Sequence, residues 1–279
     1  MTADEKLALI LAAIQTDPGD RGLARVPGDN LFTACGADFA AACGSIARHP
    51  SPAVEIVTGF YIPGATPPAF ETDGPLGSWF LARALAAIGI PAAIRAEDPV
   101  MRALGMGTAP EFAPTHRVAV ERSGPAGDGE HYTMRGKPIG AFLDQRLTPL
   151  FAHPGGVTTV GIGDGGNEIG MGRVPAETVA ANVPGGAKVH CTVPTDFLIV
   201  AGVSNWGAYA LAAGVTLLRG GRWPHEWAER DTHRAELARQ VTRGPLVDGV
   251  RGVPEPTVDG LPWEAYCDVL ARIHRVLNG

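Results

Sequence analysis

The stretch VTTVGIGDGGNEIGMG, residues 157–172, joins a β-branched apolar run to a glycine-rich, acidic turn. A short apolar run bounded by glycine reads as a strand buried on both faces, and such strands build parallel sheets. Similar runs lie on either side of it: 53–60 (AVEIVTGF), 91–96 (PAAIRA), 116–122 (HRVAVER), 187–193 (AKVHCTV) and 196–203 (DFLIVAGV). Ala- and Leu-rich segments separate them. This alternation predicts an α/β fold, a mostly parallel sheet flanked by helices in a Rossmann-like three-layer sandwich, with residues 1–279 forming a single domain. Helices are expected over 75–89, roughly 166–182, 204–219 and 225–242. A last amphipathic helix is expected over 263–277, after the Pro-rich connector 244–262. Thr2 and Glu5 have capping-box spacing, which predicts a first helix beside them.

The 279 residues are 45% apolar and carry 23 Lys and Arg against 29 Asp and Glu, a formal charge of −6. A duplex nucleic-acid surface needs clustered cations to displace counterions, so the expected partner is a small molecule and not nucleic acid. Residues 197–218 carry no charge. Ser204 and Asn205 interrupt that run, so it reads as strand, turn and helix and no membrane partner is expected. Its apolar helix is a candidate for the core or for a homo-oligomer interface. Cys35, Cys43, Cys191 and Cys267 form no CxxC pair and no zinc spacing. Reduced thiols and a cytoplasmic location are therefore expected.

In parallel sheets ligands bind beyond the carboxyl ends of the strands. Gly161, Gly163 and Gly166 match G-x-G-x-x-G after a strand, which would suit an NAD- or NADP-binding oxidoreductase. Asp164, Asn167 and Glu168 oppose that reading, because they place acids where a pyrophosphate would sit. The ribose-binding acid expected about 20 residues on is replaced by CTVP. The loop therefore suits an amine, a metal ion or a ligand of both charges. Glu71 and Asp73 precede Gly74 and Pro75 at a helix entry, where Asp73 can cap or bind ligand. Arg122, Asp128 and Arg135 come from one long loop, and arginines hold carboxylates bidentately. Ser204 and Asn205 begin a helix, with Ser204 the natural N-cap. Asp73, Asp164, Asn167 and Glu168 are hard oxygen donors that would accept Mg²⁺ or Mn²⁺, the one cofactor these residues point to.

Taken in order, TGFYIP, ETDGPLGS, ERSGPAGDG, MRG, GIGDGGNEIGMG, AGVSNWGAYAL and LVDGVRGVPEPTVDGLPWE resemble the D-glutamate cyclase family from about residue 25 to the end. The resemblance implies a hydro-lyase that converts D-glutamate to 5-oxo-D-proline and water. It carries over Glu71, Asp73, Arg122, Asp128, Arg135, Asp164, Asn167, Glu168, Ser204 and Asn205 as site residues. Chemistry suggests their roles: Asp164 or Glu168 as base, the other as acid, and Arg122 or Arg135 on the attacked carboxylate. Backbone N–H groups near Gly165 and Gly166 would receive the oxyanion. A non-catalytic amino-acid-binding module is the second alternative to the nucleotide enzyme.

Overall fold

The computed structural model describes residues 1–107 and 113–279. Its main sheet holds β1 (Val54–Gly59), β4 (Ala92–Arg95), β5 (His116–Arg122), β6 (Thr158–Gly163) and β7 (Phe197–Val200). The spatial order is β4-β1-β5-β6-β7, and every pair is parallel. Successive side chains of a strand point to opposite faces, which divides the core in two. Ile56, Val118, Val120, Val160, Ile162 and Ile199 pack on one side. Val57, Ala119, Leu198 and Val200 pack on the other. Each buried Val, Ile or Leu contributes about 1.5–3 kcal/mol, so both faces must stay covered.

The first face is covered by the helices Pro75–Ala87 and Ser204–Leu218, with Ala3–Ile14, Asp38–Arg48 and Trp263–Asn278 around them. The Thr2–Glu5 capping box is formed. Ser204 through Thr216 are all buried, so core packing accounts for the uncharged stretch. Among the described residues no helix is long and apolar enough to cross a membrane. Gly77 lets the Pro75 and Ser204 helices approach, since a Cβ there would lie 2.7 Å from the Asn205 Cα. The second face is covered by irregular chain and short helices such as Ala176–Asn182, which completes three layers. A smaller sheet lies beside the main one, with β2 (Tyr61–Ile62) antiparallel to β3 (Ala69–Glu71) and β8 (Leu246–Val247) parallel to it.

Two expected elements are corrected. Residues 187–193 form no strand: Gly185, in the left-handed region at φ +73°, starts the short helix Gly186–Val189 instead. The chain after it bonds to loops, with the Cys191 N–H on the Gly166 carbonyl and the Thr192 N–H on the Pro125 carbonyl. The helix expected from 166 begins only at Ala176. Between them the glycine loop turns back along the end of β5, where the Ile169 N–H bonds the Arg122 carbonyl at 2.8 Å.

Candidate active site

The chain order of the main sheet reverses direction between β1 and β5, and ligands of doubly wound sheets bind at such a switch point. Here the register slips: Thr58 faces Val120 but Gly59 faces Arg122. Glu121 is the extra residue of this bulge and sits at φ +44°, a region a non-glycine residue seldom occupies. Its carboxylate turns into a cavity and accepts the Ser204 hydroxyl at 2.6 Å. Arg122 does not reach the cavity. Fully buried, it grips Glu97 at 2.6 and 2.8 Å and the Gly59 carbonyl at 3.3 Å, so its role as a substrate ligand is corrected to an internal ion pair.

Two helix starts face each other across the floor. Gly74, at φ +94°, caps the Pro75 helix, and a Cβ on it would come within 2.9 Å of the Glu121 Cβ. The Asn205 amide oxygen accepts from the Gly74 and Gly77 N–H groups at 2.9 and 2.6 Å. In return the Asp73 carboxylate accepts from the Ser204 and Asn205 N–H groups, both at 2.8 Å. Asp73 therefore caps the opposite helix and not its own. Val203, not Ser204, is the N-cap of that helix. Ser204 and Asn205 act on the site by holding Glu121 and the Pro75 helix in place.

Asp164 ends β6, and Arg21 donates to it at 2.8 Å and to Asp259 at 3.0 Å. Asp17 pins this arginine's loop by accepting from the Arg21, Gly22 and Leu23 N–H groups at 2.8–3.0 Å. Asp259, at φ +54°, belongs to a turn built around buried Asp248, which accepts from Val250, Arg251, Thr257 and Gly260. Burial pushes the Asp73 carboxyl up to about 7, aided by Asp259 and opposed by its two helix N–H bonds. Burial also raises Glu71, reinforced by Asp259 and Asp73. Glu121 is raised by burial and then by Asp164 and Glu168. Asp164 is raised by burial despite Arg21, with Asp259 and Asp73 adding to the rise. Burial works against the charge of Arg21, but Asp164, Asp259 and Glu121 outweigh it and hold the guanidinium ionised.

The glycine loop closes on itself. Both Glu168 oxygens are engaged, by the Asp164 N–H at 3.2 Å and the Gly166 N–H at 2.8 Å. Gly166 thus has no N–H left for an oxyanion, and Glu168 is a loop lock that only borders the cavity. A Cβ on Gly163 would meet the Glu168 carboxyl at 2.9 Å, so the groove a pyrophosphate would need is filled. No helix N-terminus follows, which removes the basis of the nucleotide reading. Asn167 donates to the Tyr132 carbonyl at 2.7 Å and, like Gly165, does not line the cavity.

The cavity measures about 270 Å³, just below the roughly 300–1,000 Å³ of sites for drug-sized ligands. Glu71, Asp73, Asp164, Glu168 and Arg135 of the expected residues line it, together with Arg21, Glu121 and Asp259. The Glu71 carboxyl makes no hydrogen bond or ion pair among the described residues and lies over Gly249, where any Cβ would collide with it. Arg135 and Lys137 are exposed at the mouth. Asp128 is exposed outside it, bonded to the Tyr132 hydroxyl at 2.6 Å. Asp73, Glu121 and Asp164 bring one oxygen each within 4.8 Å of the others. A divalent ion here would be held by these three and not by Asn167 and Glu168. Arg21, Glu121 and Asp259 escape a reading by motif. The signals for them are faint: an acid closing the strand HRVAVER, and Asp before Gly at 20 fewer than 280 and again at PTVDG, a common turn pair.

A sequence profile described as D-glutamate cyclase-like, C-terminal, matches residues 10–105 and 106–274. The chain is 30% identical over 323 aligned positions to the human protein named D-glutamate cyclase, mitochondrial. That alignment spans 94% of this chain and 50% of the human protein, so the chain covers about half the length of this curated relative.

Proposed function

This chain belongs to the D-glutamate cyclase-like C-terminal family, and on that premise we propose that it is a carbon–oxygen lyase closing D-glutamate into 5-oxo-D-proline with release of water. One observation carries the reading: the cavity sets buried carboxylates at its floor beneath the exposed cations Arg135 and Lys137. An amino acid with two carboxylates matches that division of charge. Its ammonium relieves the repulsion among the acids, and its carboxylates meet the cations.

Ring closure must overcome a protonated amine, an unreactive carboxylate and an extended chain. Asp164 takes the amine proton. Its raised pKa makes it a stronger base than a free carboxylate, while Arg21 keeps it ionised. Arg135 and Lys137 neutralise the carboxylate under attack, the part earlier divided between Arg122 and Arg135. A divalent ion bound by Asp73, Glu121 and Asp164 would supply Lewis-acid polarisation of that carboxylate. The four cysteines are free thiols, which supports a reducing compartment such as the cytoplasm.

A proton NMR time course with D-glutamate, L-glutamate and each 5-oxoproline, with and without Mn²⁺ or Mg²⁺, tests the reading. The expected result is interconversion confined to the D pair. D-glutamate that binds but stays unconverted over hours would replace the lyase with an amino-acid-binding module.

A further inference from the structure

We propose that Glu121 is the proton donor to the departing oxygen in ring closure, a role that rests on the cyclase reading above. Three independent features aim this one carboxyl: the bulge that sets it at φ +44°, Gly74 leaving room for its Cβ, and the Ser204 hydroxyl on its Oε2 at 2.6 Å. Strained non-glycine backbone persists where surrounding structure holds it, and it clusters at working sites. Oε2 is occupied as an acceptor, and Oε1 has no partner among the described residues, so the proton of the neutral acid belongs on Oε1. Glu168, the other acid first considered for this part, has both oxygens bound by backbone N–H groups and is not available to donate.

The step balances with Asp164 ionised and Glu121 protonated at the start. Asp164 removes one proton from the ammonium, and Glu121 protonates the side-chain carboxylate. The nitrogen lone pair then attacks the carboxyl carbon, forming the N–C bond. The tetrahedral adduct returns its second nitrogen proton to Glu121. Glu121 passes it to the hydroxyl, the C–O bond breaks, and water leaves as the lactam carbonyl forms. One proton moving from Asp164 to Glu121 restores the enzyme, with no oxidant or reductant consumed.

The groups facing Glu121 are Asp164 and Glu168 from the loop after β6, Glu71 and Asp73 from β3 and the turn after it, and Arg21 from the Asp17 loop. Burial and these acids raise its pKa, so the acid form persists toward neutral pH. As pH rises through that value the donor is lost, giving an alkaline limb in kcat.

The experiment compares full-length wild type, Glu121→Gln and Ser204→Ala by D-glutamate turnover from pH 5 to 9, with melting curves to confirm folding. Glu121→Gln should lower kcat about 100-fold with KM within about threefold, and its residual rate should lack the alkaline limb. Ser204→Ala removes a bond that favours the anion and should move the limb up by about half a pH unit to one unit. Should Glu121→Gln fail to fold, the Ser204→Ala profile alone decides: an unmoved limb overturns the proposal. So does Glu121→Gln turnover within tenfold of wild type, or its restoration by added Mn²⁺, which would make Glu121 a metal ligand. A wild type that never forms 5-oxo-D-proline overturns the cyclase reading and this role together.

Discussion

The two ends of β5 bury charge in opposite proportions. Toward its start, Glu55 of β1 lies between Arg117 at 2.6 Å and Arg95 at 2.9 Å, one carboxylate against two guanidinium groups. At its far end Glu71, Asp73, Glu121, Asp164 and Asp259 share the single buried cation Arg21. Both places are buried, so desolvation alone does not distinguish them. The balanced end is complete and offers nothing to bind. The acidic end is held together with an excess of negative charge, and an incoming cation completes it.

Arg21→Met should break that contrast most severely. It leaves Asp164 and Asp259 buried without a partner, which costs about 3 kcal/mol at pH 8. The cost should shrink at pH 5, where these carboxyls can hold protons. Urea unfolding at both pH values measures it, and an equal loss at each would show that Arg21 acts by packing alone.

The pH dependence of the wild type sharpens the same point. Asp73 has its pKa raised to about 7, so the folded state holds a proton the unfolded chain releases near pH 4. Stability from this proton is full below about pH 4 and declines as pH rises toward 7. Glu71, raised in the same direction and without a partner, should add to the decline. Glu71→Gln is expected to raise the melting temperature at pH 8 by several °C and to change it little at pH 4. Scanning fluorimetry in both buffers checks it, and a melting temperature lowered at pH 8 would contradict the excess of charge. The smallest effect belongs to Asp128→Asn. Its carboxylate is exposed outside the cavity, so turnover should stay within about twofold of wild type.

The layers of the fold were legible because the main-sheet strands obey local rules. VEIVTG, TTVGIG and FLIV combine β-branched residues with flanking glycine or polar residues, and each forms its strand. AKVHCTV has the same composition, yet Gly185 turns the chain and the Cys191 and Thr192 N–H groups find loop carbonyls. Tertiary partners there overrode propensity. At the site, Glu71, Asp73, Asp164 and Arg135 stand in motifs that already read as loops beyond strands. Glu121 was hidden because a charged residue ending a strand looks like ordinary solvent exposure, and only the slip between Thr58 and Gly59 turns it inward. Arg21 and Asp259 lie 238 positions apart in sequence and are joined only by folding.

The exchanged caps at Asp73 and Asn205 also fix when this cavity can exist. Their bonds join residues 128 to 132 positions apart, so a chain emerging from synthesis carries the first half of the floor long before the second is made. Contacts so distant in sequence close slowly. Until they close, Asp73 has no helix terminus to cap and the Pro75 helix begins without the Asn205 amide. A ligand of this cavity would therefore recognise only chains that have finished folding, and its binding would report completion of the whole β1-to-β7 layer.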